Sequence, residues 1–321
     1  MRKLALILAM LMLLTVPVTA YEDFGQQTLE QVMAEFMTEN GLNSSNFSVS
    51  YYNTVTGESY AFNDKTMMVA ASTFKLPLNM YYYELEQAGE LEPDAYLDRA
   101  GTTLDTAHRL SLVESNNEVS IGMLYSLGDF RTYKTLMRKY FTLSDEEIDY
   151  LYYADNYYCT HMMMDALRYL YDHSADFAEM LDYMKQAQPG EYFKAGVTEY
   201  EVAHKYGWYD GAVNDVGIIY TEQPFLLAVY TQDLHQQVLA DTASLLTAWN
   251  TRTVPEDTEA VMLEVEMLPI PEEEPPAEET VLPEDAVLPE QTPMPQTRWW
   301  LLLPGLAAVA FLVTLLFRKK K

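Results

Sequence analysis

Cysteine is almost absent: Cys159 is the only one in the chain. A single thiol excludes an internal disulfide and any paired-cysteine metal site. Histidine is nearly as scarce, with five residues. They are scattered, and no H-E-x-x-H pair occurs, so no zinc site, other metal or cofactor is expected. Positive charge is also in short supply. Twenty Lys and Arg stand against 48 Asp and Glu, for a formal net charge of -28. So acidic a chain is not drawn to nucleic acid or to an anionic membrane face. What is plentiful is apolar surface. Hydrophobic residues make up 49% of the 321, enough for a full core in one sizeable domain or two small ones.

The two ends differ in kind. Arg2 and Lys3 precede an apolar stretch over 4–16, then the small residues of Val18-Thr19-Ala20. That is the pattern of a secretory signal over 1–20, with an uncleaved anchor as the alternative. At the other end, 299–317 is apolar and uncharged, long enough for a helix to cross the hydrocarbon core. Trp299 and Trp300 fit the interfacial belt, and the basic tail 318–321 fits a cytoplasmic stop. A single C-terminal span over 298–317 is therefore expected, with the domain on the extracytoplasmic face. The run Met294-Pro295-Gln296-Thr297-Arg298 before it resembles a sortase sorting signal, with Met294 and Arg298 in place of the usual Leu and Gly. The plain anchor is preferred. Between domain and anchor, 253–297 is rich in Pro and Glu, as in Pro271-Glu272-Glu273-Glu274-Pro275-Pro276. Missing backbone donors and like-charge repulsion make an extended, disordered stalk the expectation. Thirteen of the 48 acidic residues sit there, so the folded domain is less acidic than the total suggests.

The folded part is expected over 21–252. Leu29, Val32, Met33, Phe36 and Met37 share one helical face, and Gly41 follows as a stop. A β-rich run at 47–52, a turn at 54–58 and a returning run at 59–62 read as a hairpin. Helices are expected over 73–87 and 160–171, strands over 213–220 and 225–231. A last amphipathic helix carries Leu234, Val238, Leu239, Leu245 and Leu246. The order is helix, hairpin, helical middle, strands, helix: α and β together, with one sheet built from both ends of the chain.

Ser72-Thr73-Phe74-Lys75 places a serine and a lysine on one helical face, one turn apart. A serine hydroxyl needs a group to take its proton, and a lysine can do so once burial or a nearby cation lowers its pKa. Alone the spacing is weak, since roughly one S-x-x-K arises by chance in a chain this long. The surrounding run NDKTMMVAASTFKLP follows the hairpin and enters a helix. It resembles the active-site segment of class A β-lactamases and penicillin-binding proteins. The resemblance continues. Ser115-Asn116-Asn117, 43 residues on, matches the family's S-x-N motif, with Asn116 where Asp is usual. Lys205-Tyr206-Gly207, 90 residues further, stands at the K-T/S-G strand motif, with Tyr206 in place of a small hydroxyl residue. Asn214 to Tyr220 is similar to the family's next strand. An isolated S-N-N would otherwise read as a helix cap.

The resemblance implies an α/β (α+β) fold of the β-lactamase/transpeptidase-like kind, an antiparallel sheet flanked by helices with an all-helical subdomain. It implies Ser72 as nucleophile and Lys75 as its base. Ser115 would relay a proton to the leaving nitrogen, and Lys205 would add positive charge that keeps Lys75 deprotonated. Asn117, Tyr206 and Gly207 would bind substrate, and the backbone N–H groups of Ser72 and Trp208 would form the oxyanion hole. Class A enzymes also carry a water-directing glutamate, typically in E-x-x-L-N ahead of a helix resembling the one at Thr160. No such run occurs here. Glu147 or Glu146 could serve, against the plainer reading of an acidic capped turn after Ser144. Cys159, Met162 to Met164 and the tyrosines read as packing, and His204, His108 and His161 carry no assigned role.

Three functions follow. The first is a serine hydrolase that opens β-lactams. The second is a penicillin-binding, DD-peptidase-like cell-wall hydrolase with slow deacylation. The third is a non-catalytic surface module that binds a wall peptide. The expected partner is a small β-lactam or a cell-wall peptide, and the protein is expected to be a monomer.

Overall fold

A computed structural model describes residues 24–253, all within the unit Met1–Glu259. The expected signal at 1–20, the span at 298–317, the tail, and the stalk beyond residue 253 lie outside the described residues. Among the described residues, no helix is long and apolar enough to cross a membrane.

The first helix, α1 (Leu29–Glu39), starts where a capping box satisfies its orphan donors. Thr28 Oγ1 accepts from the Gln31 amide, and Gln31 Oε1 accepts from the Thr28 amide. Strands β1 (Phe47–Asn53) and β2 (Ser59–Phe62) form the expected hairpin. A short β3 (Met68–Val69) leads into a 3-10 turn, Ala71–Phe74, and then α2 (Lys75–Gln87). The helical expectation over 73–87 thus holds from Lys75, while the serine sits in the tighter turn before it. Next come β4 (Tyr96–Leu97), β5 (Thr102–Thr103), α3 (Leu104–Leu112), α4 (Asn117–Ser126), α5 (Phe130–Met137) and α6 (Leu151–Ala154). They are followed by β6 (Tyr157–Tyr158), α7 (Thr160–Asp172), α8 (Ala178–Gln186) and α9 (Phe193–Gly196). The chain then returns to the sheet as β7 (Glu201–Tyr209), β8 (Ala212–Tyr220) and β9 (Phe225–Thr231), and α10 (Gln237–Asn250) closes it.

The main sheet is antiparallel, in the order β2-β1-β9-β8-β7. It joins the two ends of the domain, because β1 pairs with β9 along its whole length, from Phe47 opposite Thr231 to Asn53 opposite Phe225. Strand β9 shows why its sequence is apolar throughout: Leu226, Ala228 and Tyr230 enter one core, and Phe225, Leu227 and Val229 the other. A sheet covered on both faces has no polar side to alternate with. The first core holds α2 to α8, with α7 packed against β1, β8 and β9. The second holds α1, α9 and α10. This is the α+β architecture with a helical subdomain expected from the sequence. Strand β7 is the sheet's edge, and the turn carrying Ser72 packs on it.

Candidate active site

The turn before α2 is held under strain. Ala71 has φ +50, a left-handed conformation that an L-residue with a Cβ adopts at a cost. Three distant groups hold it. Asn156 Nδ2 donates to the Ala71 carbonyl at 2.8 Å, and its own carbonyl accepts from the Ala70 amide at 2.9 Å. Asn214 Nδ2 donates to the Val69 carbonyl at 2.7 Å. Thr73 Oγ1 is bonded to the Tyr230 hydroxyl, which satisfies it inside the core. Ser72 is left half-buried at the end of this clamp.

Ser72, Lys75, Ser115, Asn117 and Lys205 come together as the resemblance implied. Lys75 Nζ lies 3.0 Å from Ser72 Oγ. It also donates to the Ser115 carbonyl at 2.6 Å, Ser115 Oγ at 3.1 Å and Asn117 Oδ1 at 2.8 Å. Lys205 Nζ approaches Ser115 Oγ from the other side at 3.0 Å and donates to the Tyr206 carbonyl at 2.7 Å. Ser115 therefore bridges the two amines. Asn116 supplies the cap that S-N-N suggested: it is the N-cap of α4, its side chain accepting from the Val119 amide at 2.9 Å. The cap and the catalytic motif are one segment, with Ser115 at φ +53 turning its hydroxyl toward the lysines.

Both lysines are fully buried. Burial lowers the Lys75 pKa to about 7, because the charged form loses its hydration. Burial also holds Lys205 well below its ordinary value, and the Lys75 charge lowers it further. Of the two causes the sequence left open, burial or a nearby cation, loss of solvent is the main reason Lys75 can be neutral near pH 7.

The free edge of β7 runs past the nucleophile turn. Asp210 and Gly211, at φ +49 and +79, form the two-residue turn between β7 and β8. Tyr209 and Ala212 close that hairpin as a hydrogen-bonded pair, so the next pair, Trp208 and Val213, points its backbone groups outward. The Trp208 N–H therefore faces the free edge, as does the Tyr206 carbonyl that Lys205 reaches two residues earlier. Gly207 lets this edge close on the nucleophile: a Cβ there would stand 2.6 Å from the Ser72 nitrogen.

Two expectations need correction. Tyr206, named as a substrate-binding residue, has its side chain engaged within the protein. Its ring stacks on Tyr192 with centroids 4.7 Å apart, and its hydroxyl accepts from Gln188 Nε2 at 3.1 Å. The ring centroid lies 4.1 Å from Lys205 Nζ, so an aromatic face occupies the space beside the ammonium. Glu147, offered with Glu146 as the water-directing acid, is engaged elsewhere. Glu147 pairs with Lys65 at 2.7 Å and accepts from the Ser144 amide at 3.0 Å. The Lys65 hydrogen bond and the Ser144 amide pull its pKa to about 2. This is the capped acidic turn of the plainer reading.

Asn156 holds the nucleophile turn, and sequence reasoning missed it. The stretch reads Tyr152-Tyr153-Ala154-Asp155-Asn156, with Asn156 on the nucleophile turn. Tyr152, four residues earlier, is buried, and its hydroxyl donates to the Lys134 carbonyl at 2.8 Å. The signal for Asn156 was its place just ahead of α7, but its partner is 85 residues away. Cys159 is a buried core thiol, its pKa pushed up to about 12 by burial. His108 and His161 have partners after all, Asn79 and Glu86 for the first and Asp64 for the second. His204 pairs with Asp215 at 2.7 Å, both fully buried behind Lys205.

A family model described as the Beta-lactamase enzyme family matches residues 28–248. The chain belongs to the Beta-lactamase enzyme family. Its members' fold recurs in solved structures. A beta lactamase from Burkholderia vietnamiensis is 19% identical, with a TM-score of 0.59 over 73% of this chain and 100% of that one. The last common ancestor of Gram-negative bacteria beta-lactamase class A is 20% identical, with a TM-score of 0.57 over 68% and 98%. A mutant of PBP-A, an acyl-enzyme complex with penicillin G, is 14% identical, with a TM-score of 0.58 over 68% and 96%. At these identities the structures establish the shared fold. No curated protein sequence matches the chain significantly. Family and site together make the protein a β-lactamase-like serine hydrolase.

Proposed function

We propose that the protein is acylated at Ser72 by β-lactams or by related cell-wall peptides, and that it releases the acyl group slowly. The observation that carries this is a complete acylation cluster in a chain that has no E-x-x-L-N run and whose Glu147 is held by Lys65 and Ser144. Neutral Lys75 takes the Ser72 proton, and Ser72 Oγ attacks the carbonyl. The tetrahedral oxyanion is met by the backbone N–H groups of Ser72 and Trp208. Collapse breaks the amide bond, and the nitrogen leaves with a proton passed through Ser115, which Lys75 and Lys205 flank. The acyl-enzyme then waits for water without a dedicated base from the Glu147 turn.

Full β-lactam hydrolysis is the second reading, favoured by the family match itself. A non-catalytic surface module fits less well, because all four of Ser72, Lys75, Ser115 and Lys205 are kept and in contact. Export and a C-terminal membrane anchor belong to the same proposal and rest on the sequence at 1–20 and 298–321.

Incubation with a fluorescent penicillin tests the reading. A long-lived adduct that Ser72→Ala abolishes supports slow deacylation. Rapid loss of label with product release supports the second reading. Absence of any adduct rules out both.

A further inference from the structure

A buried polar chain runs behind the reactive centre and joins its two helical motifs. Asn79, His108, Ser111 and Ser120 are all fully buried. Asn79 lies one turn after Lys75 on α2, Ser111 near the end of α3, and Ser120 near the start of α4. The direction of each link follows from which atoms can donate. A carbonyl oxygen only accepts. Asn79 Nδ2 therefore donates to the Lys75 carbonyl at 2.6 Å, and its second hydrogen goes to Ser111 Oγ at 2.9 Å. Ser120 has one hydroxyl hydrogen, and the Asn116 carbonyl takes it at 2.6 Å. That leaves Ser111 to donate the 3.0 Å link between the two serines. On the far side, Asn79 Oδ1 faces His108 Nδ1 at 2.8 Å, and His108 Nε2 faces Glu86 Oε1 at 3.1 Å, which pins the amide in place.

Between the helices that carry Ser111 and Ser120 hangs the strap 113–116, which holds Ser115. Ser115 is at φ +53, a conformation that persists only where the surroundings hold it. The chain grips the strap at the Asn116 carbonyl, and the Asn116 N–H bonds back to the Leu110 carbonyl at 2.9 Å. The strap in turn orients the base. A neutral lysine amine has two N–H groups and one lone pair. The Ser115 carbonyl at 2.6 Å and Asn117 Oδ1 at 2.8 Å can only accept, so they take the two N–H groups. The lone pair is left for the Ser72 hydroxyl at 3.0 Å. A strap that moved would turn the lone pair off Ser72 and open Lys75 to water.

We infer that Asn79, Ser111 and Ser120 are positioning residues for acylation: their chain holds the Ser115 strap on Lys75, which keeps the base dry and its lone pair on Ser72. The inference deepens the proposed function and rests on acylation at Ser72.

The test follows acylation of the purified full-length chain by a fluorescent penicillin from pH 5 to 9. Asn79→Leu keeps the shape and removes both donors, and Ser120→Ala removes the last hydroxyl. Each should raise the pH at which acylation levels off, Asn79→Leu by about one unit, because water reaching Lys75 favours its charged form. Below pH 7, Asn79→Leu should therefore be acylated about tenfold more slowly than the parent. The double variant should match Asn79→Leu within about twofold, since both changes cut one chain. A merely structural role would lower the melting midpoint and leave the levelling-off pH in place. That result in both variants, or penalties that multiply in the double variant, overturns the inference. If Asn79→Leu does not fold, the profile of Ser120→Ala decides by the same criterion.

Failure of the parent reading has a different signature. If no penicillin labels Ser72, Lys75 is titrated directly by NMR of the carbon-13 lysine-labelled chain, its signal assigned by its loss in Lys75→Met. A midpoint that rises above the parent's in either variant upholds the positioning role without the β-lactam reading. A midpoint unchanged in both overturns it too.

Discussion

Gly207 and Ser72 meet with no room for a side chain between them: a Cβ on Gly207 would lie 2.6 Å from the Ser72 amide nitrogen. The edge strand and the nucleophile turn are therefore set as close as two backbones allow, and in the proposed mechanism the next residue's N–H, that of Trp208, joins the Ser72 N–H as an oxyanion donor. Gly207→Ala should push the strand away and pull one oxyanion donor out of range. Loss of one such donor costs about 10²-fold in rate or more. The expected result is a fall of that size in acylation by a penicillin, with the thermal midpoint lowered by only a few degrees. Rate and melt measured on the same preparation check this. A midpoint loss without a rate loss would sink the oxyanion assignment.

The lowered Lys75 pKa sets a pH profile. Only the neutral amine can take the Ser72 proton, and its fraction grows as pH rises through about 7. Acylation should rise about tenfold per pH unit below that value and level off above it. A profile that is flat from pH 5 to 8 would exclude Lys75 as the base. The same shift bears on stability with the opposite benefit. A lysine whose folded pKa is below its unfolded value disfavours the fold wherever the unfolded chain binds the extra proton. That penalty is absent above the ordinary lysine range, grows as pH falls, and is complete below about 7. Lys75→Met should therefore be inactive yet more heat-stable than the parent at pH 6, by about 5 °C.

Glu147 lies in a surface pair with Lys65 and in the Ser144 turn. An exposed pair of this kind contributes little to stability, and nothing ties it to the acyl group. Glu147→Gln should leave both acylation and release of a penicillin within about twofold of the parent. Slowed release, measured by decay of the fluorescent adduct, would return Glu147 to the mechanism.

Lys134 is fully buried, with its Nζ 3.6 Å from the Tyr158 ring centroid, 4.2 Å from that of Tyr152, and a hydrogen bond to the Tyr157 carbonyl at 3.1 Å. Burial holds its pKa well below the ordinary lysine value. Lys134→Met keeps the volume and removes the buried amine. It forfeits one hydrogen bond of about 1 kcal/mol and relieves a larger desolvation cost. Thermal melts should show a gain at pH 6 that shrinks toward pH 10, where the unfolded lysine also becomes neutral. A gain of equal size at both pH values would contradict the linkage.

Local pattern made most of the framework legible. The capping box at Thr28, the hairpin around Gly57 and the apolar run of β9 follow from rules that act over a few residues. Ser72 and Lys75 share a face because three residues is about one helical turn. The order of elements implied a sheet built from both ends of the chain, but no local rule pairs Phe47 with Thr231, so the register of β1 on β9 was not legible. Tyr206 shows the limit at the site. Sequence placed it beside Lys205, but whether its hydroxyl faced a substrate depended on Tyr192 and Gln188, which stack and bond it from another segment.

By itself the sequence determined which chemical groups exist and which are neighbours within a turn: a serine and a lysine, a capped asparagine segment, a lysine on an edge strand. Only the tertiary structure decided how dry those groups are and what stands behind them. It buried Lys75 and Lys205 and set Asn156 and Asn214 on the turn before Ser72. The reason is physical. Spacing along a chain is local, whereas desolvation and close approach depend on every segment that packs around a point.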